Sequence, residues 1–360
     1  MLLLLTCTNA ARAQVLKPGF DKEEYTEMLR ASAFQIDTPW QPKAVPLPLH
    51  YKMIYRSPIV GLDNRWDLWL RDDKQVAVLS IRGTTKNNDS WLENFYCAMI
   101  PASGSIQLSD SHKFNYHLSD DPRAAVHIGW TIALGSMSPT ILAEVQRQYK
   151  EGVRNFIIMG HSQGGAIAFL LNSYLHDLIR KGILPNDVVL KTYCSAGPKP
   201  GNLYYAYSYE QMVAGGWACN VINPKDWVPE TPFSIQTTRD FNNANPFKGA
   251  PGMIRKMPGM QRIVLGYVYG RLDKSTKKAE RKFRNTLGGM LGKQVKKLLP
   301  GYIDPKLFNS MDYVRVGNPI ILKPDAAYLS THPDTTANIF IHHMPEPYYQ
   351  LTTQMAETDF

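Results

Sequence analysis

The chain has 360 residues, 44% of them hydrophobic and 20% charged, with a formal net charge of +9. A chain of that length and balance buries a large core, which excludes the disordered and fibrous classes. No uninterrupted apolar run approaches the roughly 18 residues of a membrane span, so the body of the protein is not expected to be integral to a bilayer.

In chain order, a leucine-rich patch at residues 2–5 is followed by Ala11-Arg12-Ala13, an A-x-A cleavage pattern. Residues 1–13 are therefore expected to be a signal peptide, weak or truncated at its start because no basic n-region precedes the leucines. The remaining residues, 14–360, are expected to form one exported domain, secreted or periplasmic. That leaves Cys97, Cys194 and Cys219, enough for one disulfide at most, with buried thiols the plainer expectation.

Residues 14–50 read as a polar arm with one helical pattern over 23–34. Residues 65–71 and 75–81, separated by Asp72-Asp73-Lys74, predict an antiparallel hairpin. Residues 84–126 read as long, polar and irregular. A helix over 137–149, a buried strand over 156–159, a helix to about 181 and a strand over 188–193 then alternate. That is the pattern of an α/β fold with a mostly parallel central sheet and helices on both faces.

The strand at 156–159 runs into Gly160-His161-Ser162-Gln163-Gly164-Gly165, and helix follows at once. G-x-S-x-G at a strand-to-helix turn predicts a nucleophile elbow, because the sharp turn needs glycine two residues to either side of the serine. Such a turn lifts the Ser162 hydroxyl out of the sheet and aims the Gln163 N–H at a developing oxyanion.

A serine hydroxyl needs a base, and that imidazole needs a carboxylate. Asp226 lies just beyond a short apolar run ending near Ile222, at the sheet edge where ligands collect, with Glu230 the second choice. Asp187 precedes its strand, at the wrong end. Downstream histidines are His332, His342 and His343, and the last two, after the apolar segment 337–341, are the candidate bases. A second oxyanion donor is expected from Arg82-Gly83-Thr84-Thr85, where Thr84 offers a backbone N–H and a hydroxyl.

Residues 240–335 break the rhythm and read as a basic helical insertion. Residues 271–297 hold ten basic residues against two acidic ones, a net +8 of the chain's +9. At about 100° per residue, Leu272, Ala279, Phe283, Leu287 and Met290 share one face of a helix and Lys274, Lys277, Lys278, Arg281 and Lys282 the other. The apolar face either docks on the core or meets an anionic membrane or lipid surface. Little aromatic interleaving and no accompanying motif point away from nucleic acid.

Taken together, these motifs resemble the class 3, or fungal-type, lipases of the α/β-hydrolase fold. The oxyanion loop is matched by Ile81-Arg82-Gly83-Thr84, the lid helix by Ser90-Trp91-Leu92-Glu93-Asn94-Phe95, and V-H-x-G-[FW] by Val126-His127-Ile128-Gly129-Trp130. The elbow is matched at all fixed positions, T-Y-G-x-P-[RK]-x-G-N is approximated by residues 192–202, and D-x-V-P-x-x-P is matched by residues 226–232. The resemblance implies a triad of Ser162, Asp226 and His343, the last chosen over His342 because Tyr348 follows it by five residues. It further implies an oxyanion hole of Thr84 and Gln163, a structural His127, and a lid led by Trp91, Leu92 and Phe95. The activity implied is hydrolysis of acyl-ester lipids without metal or cofactor, with phospholipase A1, a soluble-ester esterase and a non-catalytic membrane-surface protein as alternatives. Two departures are a lengthened interval between acid and histidine and a lengthened stretch between Trp91 and His127.

Overall fold

The computed structural model describes residues 15–36, 44–334 and 337–356; the expected signal peptide lies outside the described residues. Helix α1 (Lys22–Ala33) begins at Asp21, whose carboxylate accepts the Glu24 N–H. Strands β1 (Tyr51–Arg56), β2 (Trp66–Arg71) and β3 (Val76–Ile81) follow as an antiparallel trio, with Leu68 opposite Leu79. The β2–β3 turn closes through Lys74 at φ 58°, while the Asp73 carboxylate accepts the Gln75 N–H.

Residues 84–126, expected to be irregular, are structured. They form α2 (Asn88–Phe95), β4 (Met99–Pro101), β5 (Ser103–Ser109), β6 (His112–His117) and β7 (Ala125–His127). The signal was faint for a physical reason. Ile106 and Leu108 on β5, and Phe114 and Tyr116 on β6, are buried at strand spacing, but the residues between them are polar and β4 and β7 are three residues each. Helix α3 (Ile128–Lys150) starts nine residues before the expected 137, because the His127 imidazole accepts the Trp130 N–H and caps it. Gly129, Gly135 and Pro139 inside it disguised the helix in the sequence.

Strand β8 (Asn155–His161), α4 (Gln163–Arg180), β9 (Val189–Ser195), β10 (Gly201–Asn202), α5 (Leu203–Met212) and β11 (Ala218–Ile222) continue the alternation. After them come α6 (Pro246–Arg255), α7 (Gly259–Arg284), a π-helical segment (Asn285–Met290) and α8 (Leu291–Leu298). The chain ends through β12 (Tyr313–Val314), β13 (Asn318–Ile321), α9 (Ala326–Thr331) and α10 (Pro345–Gln354).

The central sheet has the order β1-β2-β3-β8-β9-β11-β13, parallel from β3 onward. β3 and β8 are buried throughout, as strands covered on both faces must be. One face carries α3 and α4 and the larger core around Trp66, Phe156 and Phe169; the other carries α1 and α10 around Tyr25, Tyr193 and Tyr348. This is an α/β-hydrolase-like fold. β12, β10, β7 and β4 form a small second sheet, and β5 pairs with β6.

The interval 240–335 is not wholly a helical insertion, since β13 within it is the edge strand of the central sheet. Four residues with a proline at Pro319 give almost no strand signal, and an edge position tolerates the missing N–H. The basic helix expected over 271–297 is divided between the end of α7, the π-helical segment and α8. Of its expected apolar face, Phe283 and Leu287 pack beside Met99, Met311 and Tyr313, while Leu272 and Met290 stay exposed. Among the described residues no helix is long and apolar enough to cross a membrane.

Candidate active site

Ser162 sits alone between β8 and α4 at φ 61°, ψ −130°, a backbone conformation costly for any residue with a side chain. The turn closes because Gly160 and Gly164 have none. A methyl group on Gly160 would strike the Gly164 carbonyl oxygen, and one on Gly164 the Ile81 carbonyl oxygen. The Ser162 N–H donates to the Ser195 carbonyl at 2.9 Å, and the side chain makes no capping bond to its helix. The Gln163 N–H, first of α4, has no acceptor a turn earlier in its own helix, and Gln163 lines the cleft beside Ser162.

His343 Nε2 lies 2.8 Å from Ser162 Oγ, and His343 Nδ1 lies 2.7 Å from Asp226 Oδ2. A carboxylate only accepts, so Nδ1 carries the hydrogen and the Nε2 lone pair receives the serine O–H. Asp226 is buried on the loop after β11. Its Oδ1 accepts the Val228 N–H at 2.9 Å, and its Oδ2 also accepts the Tyr348 hydroxyl at 2.9 Å. These donors replace the water that a buried charge would otherwise lose. Burial first, and then the Asp226 charge, hold the Tyr348 phenol far above its ordinary range, so it stays a donor.

The other candidates are engaged elsewhere. His342 Nδ1 lies 2.8 Å from the Tyr328 hydroxyl and Nε2 3.0 Å from Asp334 Oδ1. His332 stacks on Tyr328, and Glu230 is exposed on the short turn Val228–Glu230.

His161 has a part that chain order alone gave no reason to expect. Its Nε2 lies 2.7 Å from the His343 carbonyl oxygen and its Nδ1 3.0 Å from Ser195 Oγ, which is 2.7 Å from the Tyr25 hydroxyl. The carbonyl requires a hydrogen on Nε2. Burial, and then the neighbouring His343, push His161 down to about 3, so it is neutral.

The oxyanion loop follows β3. Gly83 presses on the elbow so closely that a Cβ there would stand 2.8 Å from the His161 carbonyl oxygen. Thr84 Oγ1 accepts the Asn94 Nδ2–H at 2.8 Å, leaving its own proton free to point into the cleft. Asn94 Oδ1 accepts the Trp130 indole N–H at 3.0 Å, which fixes the amide orientation. Its carbonyl accepts His127 Nε2–H at 3.2 Å. His127, held neutral by burial at about 3, therefore supports the threonine through Asn94.

Trp91, Leu92 and Phe95, expected to lead a lid, lie on helix α2. Helix α2 is bolted to the oxyanion loop and elbow. Ser90 Oγ accepts the Thr85 N–H and donates to Gln163 Oε1, both at 3.2 Å. Buried Glu93 accepts from Gln163 Nε2 and Asn64 Nδ2, both at 2.6 Å. Leu92 packs on the main core, and Trp91 stacks on Phe95 and meets Phe340. Any movement of α2 as a lid would have to break these bonds. Residue spacing in the sequence carried no sign of those bonds between distant parts of the chain.

Ser162 opens into a cleft of about 1020 Å³ walled by Trp91, Phe95, Trp227, Phe283 and Phe340. That is at the upper end for small-ligand pockets and mainly apolar in its walls. Cys97, Cys194 and Cys219 are free and buried. Among the described residues no group of three or more His, Cys, Asp or Glu side chains is arranged to hold a metal ion.

Residues 78–236 match the family Lipase (class 3). Among solved structures, the Rhizomucor miehei triacylglyceride lipase is 21% identical over 60% of this chain and 77% of that one, at a TM-score of 0.45. Lipase II from Rhizopus niveus is 22% identical over 59% of this chain and 74% of that one, at 0.40. No curated protein matches the chain.

Proposed function

We propose that this chain, a class 3 lipase in sequence over residues 78–236, is a serine carboxylester hydrolase, and specifically a lipase that cleaves acylglycerol esters. The observation that carries the reading is the line from Ser162 Oγ through His343, at 2.8 Å and 2.7 Å, to Asp226, with Thr84 and Gln163 lining the same cleft.

Ser162 Oγ attacks the ester carbonyl carbon while its proton passes to His343 Nε2. The charged imidazole is stabilised by Asp226. The oxyanion takes hydrogen bonds from the Gln163 N–H and from the Thr84 N–H and hydroxyl. Collapse breaks the bond to the alcohol, which leaves with the His343 proton, and Ser162 is acylated. Water then gives a proton to His343 and attacks the acyl carbon; the acyl–Oγ bond breaks as His343 returns that proton to Ser162 Oγ, and the carboxylic acid leaves.

The apolar cleft favours acyl chains over polar acyl groups. The reading includes export, and an anionic lipid surface met through the basic segment 271–297. The test is titration of acid released from emulsified triacylglycerol, phosphatidylglycerol and a short soluble ester. Acylglycerol turnover is expected to be fastest. Preference for phosphatidylglycerol would move the assignment to a phospholipase, and no turnover of any ester would overturn it.

A further inference from the structure

The hairpin of α6 and α7 departs from what an aqueous surface requires. α6 buries no residue, and α7 over its 26 residues buries only Glu280. The two helices lean on each other: Tyr269 donates to the Phe247 carbonyl at 2.8 Å, and Gly266 lies against Ile254. At about 100° per residue, this puts α6 against one side of α7, near Gly266 and Tyr269. The opposite arc, roughly 200° wide, holds Met260, Ile263, Val264, Tyr267, Val268 and Leu272, with Gln261 and Arg271 the polar residues among them. Met260 is 72% exposed, Ile263 and Tyr267 63%, and Leu272 64%. A water-facing arc is ordinarily polar, and an apolar arc is ordinarily covered.

The same arc continues along α7 as Lys274, Lys278, Arg281 and Lys282. An apolar stretch about 18 Å long, at 1.5 Å per residue, is thus followed on one stripe by a basic one. Residues 246–297 carry fourteen basic residues and two acidic ones, leaving twenty-six basic and twenty-nine acidic elsewhere, a net −3. Both acids of the segment are paired: Asp273 bonds Thr238 and Lys277, and buried Glu280 bonds Arg239 and Arg284. The outward stripe is therefore uniformly positive. The stripe also ends at the cleft, since Lys282, Phe283 and Leu287 line the space that contains Ser162, and Phe283 meets Phe233, itself 72% exposed.

We infer that the α6–α7 hairpin is a monotopic anchor for anionic lipid surfaces, burying the apolar arc at the headgroup–acyl boundary and setting the basic stripe on lipid phosphates. Docked so, the cleft mouth lies at the surface that supplies the ester. The charge argues for lipid over a second copy, because two hairpins of this sign would repel. The inference rests on the ester-hydrolase reading only for the identity of what enters the cleft.

The experiment is sedimentation of Ser162→Ala protein with phosphatidylglycerol vesicles and with phosphatidylcholine vesicles, so that binding is read without hydrolysis. At least tenfold stronger binding to phosphatidylglycerol is expected, weakening as salt rises. Ile263→Ser/Tyr267→Ser/Leu272→Ser is expected to lose that binding at least tenfold, and on the Ser162 background to keep soluble-ester turnover and the thermal midpoint unchanged. Equal binding by the triple variant, no preference for the anionic vesicle, or a dimer that the triple substitution dissolves would overturn the anchor. Loss of soluble-ester turnover in the parent would strike the hydrolase reading and leave the anchor standing.

Discussion

Asn94 Nδ2 donates to Thr84 Oγ1 at 2.8 Å, so the threonine hydroxyl has an acceptor role filled and its proton to spare. A free hydroxyl beside a backbone N–H is a second donor for the oxyanion. Thr84→Val keeps the backbone and removes that donor, and is expected to lower kcat on the order of 10²-fold with little change in KM. Thr84→Ser should keep most of the rate. Asn94→Ala should lose roughly tenfold, since one orienting hydrogen bond is removed while the donor remains. Steady-state kinetics on a soluble ester read all three, and a Thr84→Val enzyme of full kcat would remove the hydroxyl from the account.

How much of this was legible in the chain depends on how local each feature is. The elbow was legible because the glycine–serine–glycine spacing is itself the steric requirement, β3 and β8 because strands buried on both faces are mainly apolar, and β9 because it follows a helix in the βαβ alternation. The His343 neighbourhood was legible only by elimination and family resemblance. Nothing about His342 itself shows that it is turned to Tyr328 and Asp334. The roles of Asn94, Glu93 and His161 were not legible, because each acts through a bond to a residue brought near by the sheet. The anchorage of α2 was hidden for the same reason: it reads as a free amphipathic helix until Ser90, Glu93 and Asn94 are seen bonded to Thr85, Gln163 and Thr84.

Glu93 is buried with Gln163 and Asn64, and burial pushes its carboxyl up to about 8 from an ordinary 4.5. The unfolded chain ionises this group near 4.5 and the folded protein only near 8. Between those values the folded state holds the extra proton, so raising pH through this window costs stability. Glu93→Gln is expected to flatten the fall in thermal midpoint between pH 5 and pH 8. Parallel slopes for the variant and the parent would show that another group is responsible.

His161 ties the elbow strand to the loop that carries His343, through the 2.7 Å contact with the His343 carbonyl. His161→Leu leaves that buried carbonyl without its partner and Ser195 Oγ with Tyr25 alone, which should cost about 1–3 kcal/mol of stability. It should also lower kcat by about 10–10²-fold with KM held, because the imidazole is no longer fixed over the serine. Chemical denaturation and ester kinetics check the two halves. A destabilised variant of unaltered kcat would make His161 structural only. The sign of its titration is separate and opposite to that of Glu93. Held near 3 by burial, His161 is unprotonated in the folded state while the unfolded chain takes up a proton near 6.5, so it favours unfolding as pH falls through that range.

Intact-mass labelling with a fluorophosphonate reads whether Ser162 is an activated nucleophile. The parent protein is expected to gain one adduct, located at Ser162, within minutes, while Ser162→Ala gains none and His343→Ala labels at least a hundredfold more slowly. A parent protein that stays unlabelled while folded, or one that labels equally in the Ser162→Ala variant, would contradict the account.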